Sequence, residues 1–217
     1  MAPPPRLRSS ERQHCMCRFL GFFIALLSWT CALIIAMSRS WRVWEFNSSS
    51  VRFVYVGFWE AFYYERVNIS GVIKEFPKHQ RIHGTWVIPN ELEYGRDLIL
   101  LAIFGKTATL LFTSLAPLTI CIRMQFQELI IICYKIFVCV LVACYCCTMV
   151  ALVWNFGVEF YGESRLDFPI NFPVRKEARI KKHLSYVLPL GITTATLSLG
   201  SAMSFIWQLR YSDWEMD

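Results

Sequence analysis

No cysteine occurs between Cys31 and Cys121. That absence excludes any disulfide closed within the intervening segment, which must be ordered by other means. Charge is missing as well, over two long stretches: none lies in Phe19 to Met37 and none in Val187 to Leu209. Two further apolar stretches carry one charge each, Lys106 in Leu98 to Ile122 and Lys135 in Leu129 to Val153. Catalytic constellations are also lacking. There is no nucleophile beside a base, no paired-carboxylate site, no HExxH and no glycine-rich phosphate loop. A membrane-enzyme reading therefore has no candidate residues, and no cofactor is implied. Low-complexity sequence is confined to Pro3-Pro4-Pro5, and no internal repeat is visible. The net charge of +6 is carried by loops and tails without a nucleic-acid-binding pattern.

What is present is apolar surface. Of 217 residues, 55% are hydrophobic, above the usual 45–50% of a soluble domain. The excess sits in the four blocks, each about 20 residues or longer, enough to cross a ~30 Å hydrocarbon layer as a helix. Lipid leaves no partner for free backbone groups, so each block is expected to be helical. Pro117 and Pro189 fall near block ends, where a helix absorbs them. The expected order is a tail (1–18), span one (19–37), a long loop (38–97), span two (98–122), a turn (123–128), span three (129–153), a second loop (154–186), span four (187–209) and a tail (210–217). The short turn makes spans two and three antiparallel neighbours. A cleaved signal peptide is the competing reading of span one, with Ala36-Met37-Ser38 as a cleavage site, but the apolar run exceeds the usual ~7–15 residues.

Orientation draws on two signals. Arg6, Arg8, Arg12 and Arg18 precede span one and favour cytoplasmic termini. Arg175, Lys176, Arg179, Lys181 and Lys182 precede span four on the other side and oppose that rule. Two sequons, beginning at Asn47 and Asn68, place the first long loop outside as N-glycosylation sites. The expected location is the plasma membrane, multi-pass.

The long loop has the composition of a sheet. Trp41 to Phe46, Val51 to Phe62 and Thr85 to Ile88 read as strands, separated by Asn-Ser and Ile-Ser-Gly turns. Its densest part is "FVYVGFWEAFYY", Phe53 to Tyr64, with seven aromatics in twelve residues. One antiparallel sheet on the outer membrane face is expected, its rings shared between packing and the interfacial belt.

Several short motifs then fall into a familiar order. "GFFIALLSW" (Gly21 to Trp29) lies in span one, followed by Trp41-Arg42-Val43, Gly57-Phe58-Trp59 and Arg96 before span two. Trp154-Asn155-Phe156 and Glu159-Phe160-Tyr161 open the second loop. This order resembles the claudins, and most of all a divergent branch sharing Trp-Arg-Val-Trp, Gly105-Lys106 and Val-Trp-Asn. The resemblance implies an antiparallel four-transmembrane-helix bundle with a small extracellular antiparallel β-sheet formed by both outer loops. It also implies that Trp41, Gly57 and Trp59 anchor the sheet at the membrane surface; a generic aromatic belt is the plainer reading. The chain departs from the family in having Phe58 for leucine, Phe62 where the first loop cysteine falls, and no second cysteine. A disulfide is worth about 2–4 kcal/mol and burial of a Phe side chain about 1.5–3 kcal/mol. Packing through Phe58, Phe62 and Tyr63 is accordingly expected to replace part of the bond. The end Trp214-Glu215-Met216-Asp217 lacks the hydrophobic terminal residue that scaffold domains capture.

Other residues carry paired readings. Arg96 either bonds loop carbonyls or snorkels. Lys106, about 12 Å into span two, is either an intramembrane functional charge or a snorkelling lysine; Lys135 snorkels. Thr196, Gly200 and Ser204 form a small-xxx-small stripe for packing within the bundle or a lateral dimer. Cys15 and Cys17 are a palmitoylation site or two reduced thiols. Cys144, Cys146 and Cys147 read as apolar thiols rather than metal ligands, and His79 and His83 as solvated rather than metal-binding.

The resemblance implies a structural protein of tight junctions. It would contact membrane lipids and claudin-like copies, identical or different, in the same and the opposing membrane, sealing or gating the space between cells. From Arg42 to Arg96 there are seven Lys/Arg and six Glu, so no ion preference is read. The alternative is an auxiliary subunit of a channel or receptor, with Lys106 and the span-four stripe as partner surface.

Overall fold

The computed structural model describes residues 5–69, 71–120, 127–162 and 164–214, with side chains over 19–69, 71–114, 131–162, 164–207 and 209–210. Residues 123–126 of the expected turn fall outside the described residues, as do the side chains of Cys15 and Cys17, while residues 127 and 128 already belong to a helix. The elements run α1 (Pro5–Met37), β1 (Arg42–Phe46), β2 (Phe53–Val56), β3 (Glu60–Ile69), β4 (Val72–Arg81), α2 (Asn90–Ile120), α3 (Gln127–Tyr161), β5 (Arg179–His183) and α4 (Val187–Trp214). All four helices contain a stretch long and apolar enough to cross a membrane: Phe19–Met37, Asn90–Ser114, Ile131–Tyr161 and Val187–Trp207.

All four helices outrun the apolar blocks that announce them; α1 begins at Pro5 and α4 runs to Trp214. α2 starts at Asn90, directly after Pro89, whose carbonyl accepts from Leu92 and Glu93. Glu91 and Glu93 sit in its first turn, where the helix dipole favours carboxylates. α3 continues to Tyr161 through residues expected as loop. α4 is opened by Ser185, whose Oγ accepts from the Val187 amide at 3.1 Å, as an N-cap does.

The chain divides into two compact units. The first lies within Met1–Ala32, Leu100–Met149 and Thr193–Asp217. Here α1 and α4 are antiparallel: Ser201 Oγ donates to the Gly21 carbonyl at 3.1 Å, and Ser28 Oγ to that of Thr194 at 2.9 Å. α2 and α3 meet through the Cys144 thiol and the Ala102 carbonyl at 3.3 Å, and through Phe112 and Phe137, whose rings lie 5.9 Å apart. Trp29 donates to Thr107 and links α1 to α2; Tyr134 against Phe205 links α3 to α4. Small and polar residues mediate the α1–α4 contact, whereas large rings join α2 to α3 and α3 to α4.

The second unit comprises Leu33–Ile99 and Val150–Ile192. Its centre is a five-stranded antiparallel sheet of order β4-β3-β2-β1-β5. Segments on either side of the α2–α3 pair thus share one sheet. Alternation sorts the side chains. Trp44, Phe46, Val54, Val56, Ala61 and Tyr63 face a core closed by Trp86, Leu166, Phe172 and Val174.

Two strand expectations are corrected. Val51 to Phe62 is not one strand: β2 ends at Val56, β3 begins at Glu60, and the Gly57 amide donates to the Glu60 carbonyl at 3.0 Å. Thr85 to Ile88 gives only a bridge between Val87 and Asp167. The sheet gains β4 instead, a polar strand containing Pro77. It is the sheet's edge, where a missing N–H is tolerated. Gly71, at φ 86°, turns β3 into β4 with its amide bonded to Asn68 Oδ1 at 3.0 Å; positive φ is what glycine permits.

Candidate functional site

The aromatic motif of the first loop converges on the end of α1. A helix leaves its last carbonyls without intrahelical partners. Trp41 Nε1 donates to the Ile35 carbonyl at 3.0 Å, and Trp59 Nε1 to that of Ala36 at 2.8 Å. Phe58 lies on Trp41 with ring centroids 4.1 Å apart. Arg96 caps the outer side of Trp59, its guanidinium 5.7 Å from the ring. It pairs with Asp97 at 3.1 Å rather than with loop carbonyls, which corrects that expectation. Gly57 is there because nothing larger fits: a Cβ would stand 2.5 Å from the Ser38 carbonyl oxygen and 2.9 Å from Arg39 Cα. Backbone cannot yield as a side-chain tip can, so Gly57→Ala is expected to cost about 1–3 kcal/mol, read as a drop in the thermal midpoint of detergent-purified protein.

Phe62 does not join this knot. It occupies the outer sheet face with Tyr55 and Tyr64, while Tyr63 points into the core against Phe172. The expected joint packing of Phe58, Phe62 and Tyr63 is therefore corrected; alternation along β3 sends neighbours to opposite faces. Since Phe62 is only half-buried, Phe62→Ala is expected to cost about 1 kcal/mol, below full Phe burial. Unfolding midpoints of Phe62→Ala and Tyr63→Ala, compared side by side, test the assignment.

A second constellation was not anticipated. Arg42 projects from β1 toward the sheet's inner face, only 2% exposed. Its guanidinium bridges two carboxylates: Nη2 donates to Glu91 at 3.0 Å, and Nη1 to Glu159. Trp44 Nε1 donates to the other Glu159 oxygen at 2.6 Å, and Ser164 Oγ to Glu91 at 3.2 Å. Lys182 of β5 donates to the Glu159 carbonyl, and Asn155 to that of Glu91 at 2.7 Å. Arg179 lies over the Trp44 ring at 4.6 Å. β1, the start of α2, the end of α3 and β5 are thereby tied at one point. Burial lowers the Arg42 pKa to about 10, with Glu91 acting in the opposite direction. The sequence signal was available: in Arg42-Val43-Trp44-Glu45-Phe46 an arginine shares the apolar face, which demands a buried partner.

At the β1–β5 edge, His183 Nε2 lies 2.9 Å from Glu45. That hydrogen bond is the main cause lowering the Glu45 pKa. A carboxylate whose folded pKa is depressed lends stability above its unfolded value, and loses it as pH falls through the folded one.

The remaining residues are dispersed. Asn47 and Asn68 are exposed, the latter at the hairpin end of β3. His79 sits on β4, 3.6 Å from Glu60. Lys135 is exposed. Lys106 is not snorkelling: it is 1% exposed and Nζ has no hydrogen-bond partner among the described residues. An unpaired buried ammonium is destabilising, so Lys106→Met is expected to stabilise the protein by about 1 kcal/mol or more, visible as a raised unfolding midpoint. The span-four stripe is met in part: a Cβ on Gly21 would stand 3.2 Å from Ser204 Cβ and one on Gly200 3.9 Å from Ile24 Cγ2, so Gly200 and Ser204 pack on α1 beside the fully buried Thr194, Ser198 and Ser201, while Thr196 is exposed.

No protein-family model matches the chain, and no curated protein matches it significantly.

Proposed function

We propose that this chain is a multi-pass membrane protein of claudin-like organisation. In this reading it acts at cell–cell contacts, where its sheet-bearing segments associate with copies in the same and the opposing membrane and restrict passage between cells. One observation carries the reading. Both inter-helix segments, the one before α2 and the one after α3, pair in a single sheet, β1 with β2 and with β5. Two loops in one sheet lie on one side of a membrane, which is the arrangement an outward-facing recognition surface needs.

Three of the five basic residues before span four are engaged in ordering the sheet-bearing unit, while Arg175 and Lys181 are exposed. Lys176 donates to the Ser164 carbonyl at 2.6 Å, Lys182 to that of Glu159, and Arg179 covers Trp44. A structural role accounts for the presence of those three charges in an outer loop, and the two sequons support the same side. Of the markers of the auxiliary-subunit alternative, Lys106 is buried and Gly200 and Ser204 pack on α1, while Thr196 is exposed.

Expression in cells without junctions tests the proposal. Enrichment at contacts between expressing cells, with intramembrane strands by freeze-fracture, is the expected result. Uniform surface staining, no strands and stable co-purification with a channel would refute it. Loss of an endoglycosidase shift in Asn47→Gln/Asn68→Gln checks the orientation.

A further inference from the structure

Copies of a sheet-bearing protein can join where an edge strand leaves backbone groups unpaired. β4 is such an edge, and three bonds fix which of its groups are free. The Gly57 amide donates to the Glu60 carbonyl at 3.0 Å and the Arg66 amide to the Ser50 carbonyl at 2.7 Å, so Glu60 and Arg66 turn their backbone groups away from β4. In the opposite phase, the Ile82 amide donates to the Trp59 carbonyl at 2.9 Å. Directly opposite residues of an antiparallel pair turn either toward or away from each other. Ile73, Glu75, Pro77, His79 and Arg81 stand opposite Asn68, Arg66, Tyr64, Phe62 and Glu60, and therefore aim their backbone groups at the open edge.

Pro77 is the middle one of these outward residues. It has no N–H, and its ring stands where that hydrogen would point. Outward amides remain only at Ile73 and Glu75 on one side of the gap and at His79 and Arg81 on the other. When β4 is laid antiparallel on β4 of a second copy, outward residues meet outward residues. Every symmetric register that spans Pro77 then loses a bond at each proline and seats each ring against the facing strand. The opposite edge, β5, is guarded by charge: Arg179, Lys181 and Lys182 fill three of its five positions, so a second β5 laid against it brings cations together. We propose that Pro77 closes the β4 edge to strand addition by a second copy, so that copies of this chain meet through other surfaces rather than as one continuous sheet. This closure narrows the contact between copies proposed above, and it holds whether or not the chain acts at cell contacts.

The test uses the full chain, purified in detergent at high concentration, with the photocrosslinker p-benzoylphenylalanine in place of His79. The parent should give no crosslink into residues 72–81 of a second copy. Pro77→Val supplies the missing N–H and should raise that crosslink about tenfold at a matched unfolding midpoint, the scale of one or two restored backbone bonds; Pro77→Thr serves should the valine variant unfold. Pro77→Val/Glu75→Pro shifts the gap to the next outward residue and should return the crosslink to the parent level without loss of stability. Pro77→Val/Phe76→Pro removes an amide turned toward β3 and should instead lower the midpoint. Equal midpoints for the two double variants would overturn the assignment of outward groups. A strong crosslink in the parent, or no rise with either single substitution, would overturn the closure. Parent chain that shows neither this crosslink nor enrichment at cell contacts, with the rise present in Pro77→Val, would support the closure and count only against the junction role.

Discussion

Arg42→Met is expected to destabilise the protein by about 3–5 kcal/mol, the usual result of removing one partner from a buried ion cluster. Methionine fills most of the volume, so the loss is electrostatic. Glu91 and Glu159 would be left facing each other with their shared cation gone. Trp44 and Ser164 donate to these carboxylates but carry no charge to offset them. Adding Glu91→Gln and Glu159→Gln to Arg42→Met should recover at least half of the loss, since a neutral trio removes the uncompensated charge. Thermal unfolding of detergent-purified protein and delivery to the cell surface are the readouts. A single variant within about 1 kcal/mol of the parent would show that the carboxylates find other partners. The sign of the pH dependence follows from burial. With the folded pKa near 10, below the unfolded value, the folded state sheds the Arg42 proton first and gains relative stability only above about that pH. Across neutral pH the cation is fixed, and the effect of Arg42→Met should be flat there.

Periodicity made the four helices and the presence of a sheet legible, because uncharged blocks of that length have few other solutions. It did not show where the helices stop. α2 and α3 reach past the apolar blocks, carrying Glu91 and Glu159 into position beside Arg42, and polar helix ends leave no trace in a hydropathy pattern. β4 was illegible for a related reason: an edge strand exposed along nearly its whole length has no alternation to display. The Trp41, Gly57 and Trp59 motif could be selected from sequence, yet its partners could not, since carbonyls at a helix end belong to residues of any type. For Lys106 composition gave the helix but not the face, and of the span-four stripe Gly200 and Ser204 pack on α1 while Thr196 does not. Each residue turns a helix by about 100°, so Thr196 and Thr194, two positions apart, stand on nearly opposite faces, and composition does not say which of them meets a neighbour.

Trp41→Ala is expected to cost about 3–5 kcal/mol, as truncation of a buried tryptophan does. Trp41 is 2% exposed, and Phe58 and Phe156 lie on its ring at 4.1 and 6.4 Å. Trp59 makes a parallel hydrogen bond to α1 but is 42% exposed, with Arg96 over its outer face. Less of its surface leaves water on folding, so Trp59→Ala should cost distinctly less. Trp41→Phe separates the two contributions of the indole. It retains most of the packing and deletes the donor to the Ile35 carbonyl, a loss of about 1 kcal/mol on the scale of one neutral hydrogen bond. The expected order of destabilisation is Trp41→Ala, then Trp59→Ala, then Trp41→Phe. Should Trp41→Phe prove as harmful as Trp41→Ala, the capping bond and not the packing would dominate. Should Trp59→Ala prove the worst, burial would be the wrong guide, and the arginine-covered indole would be the true anchor of the sheet on α1.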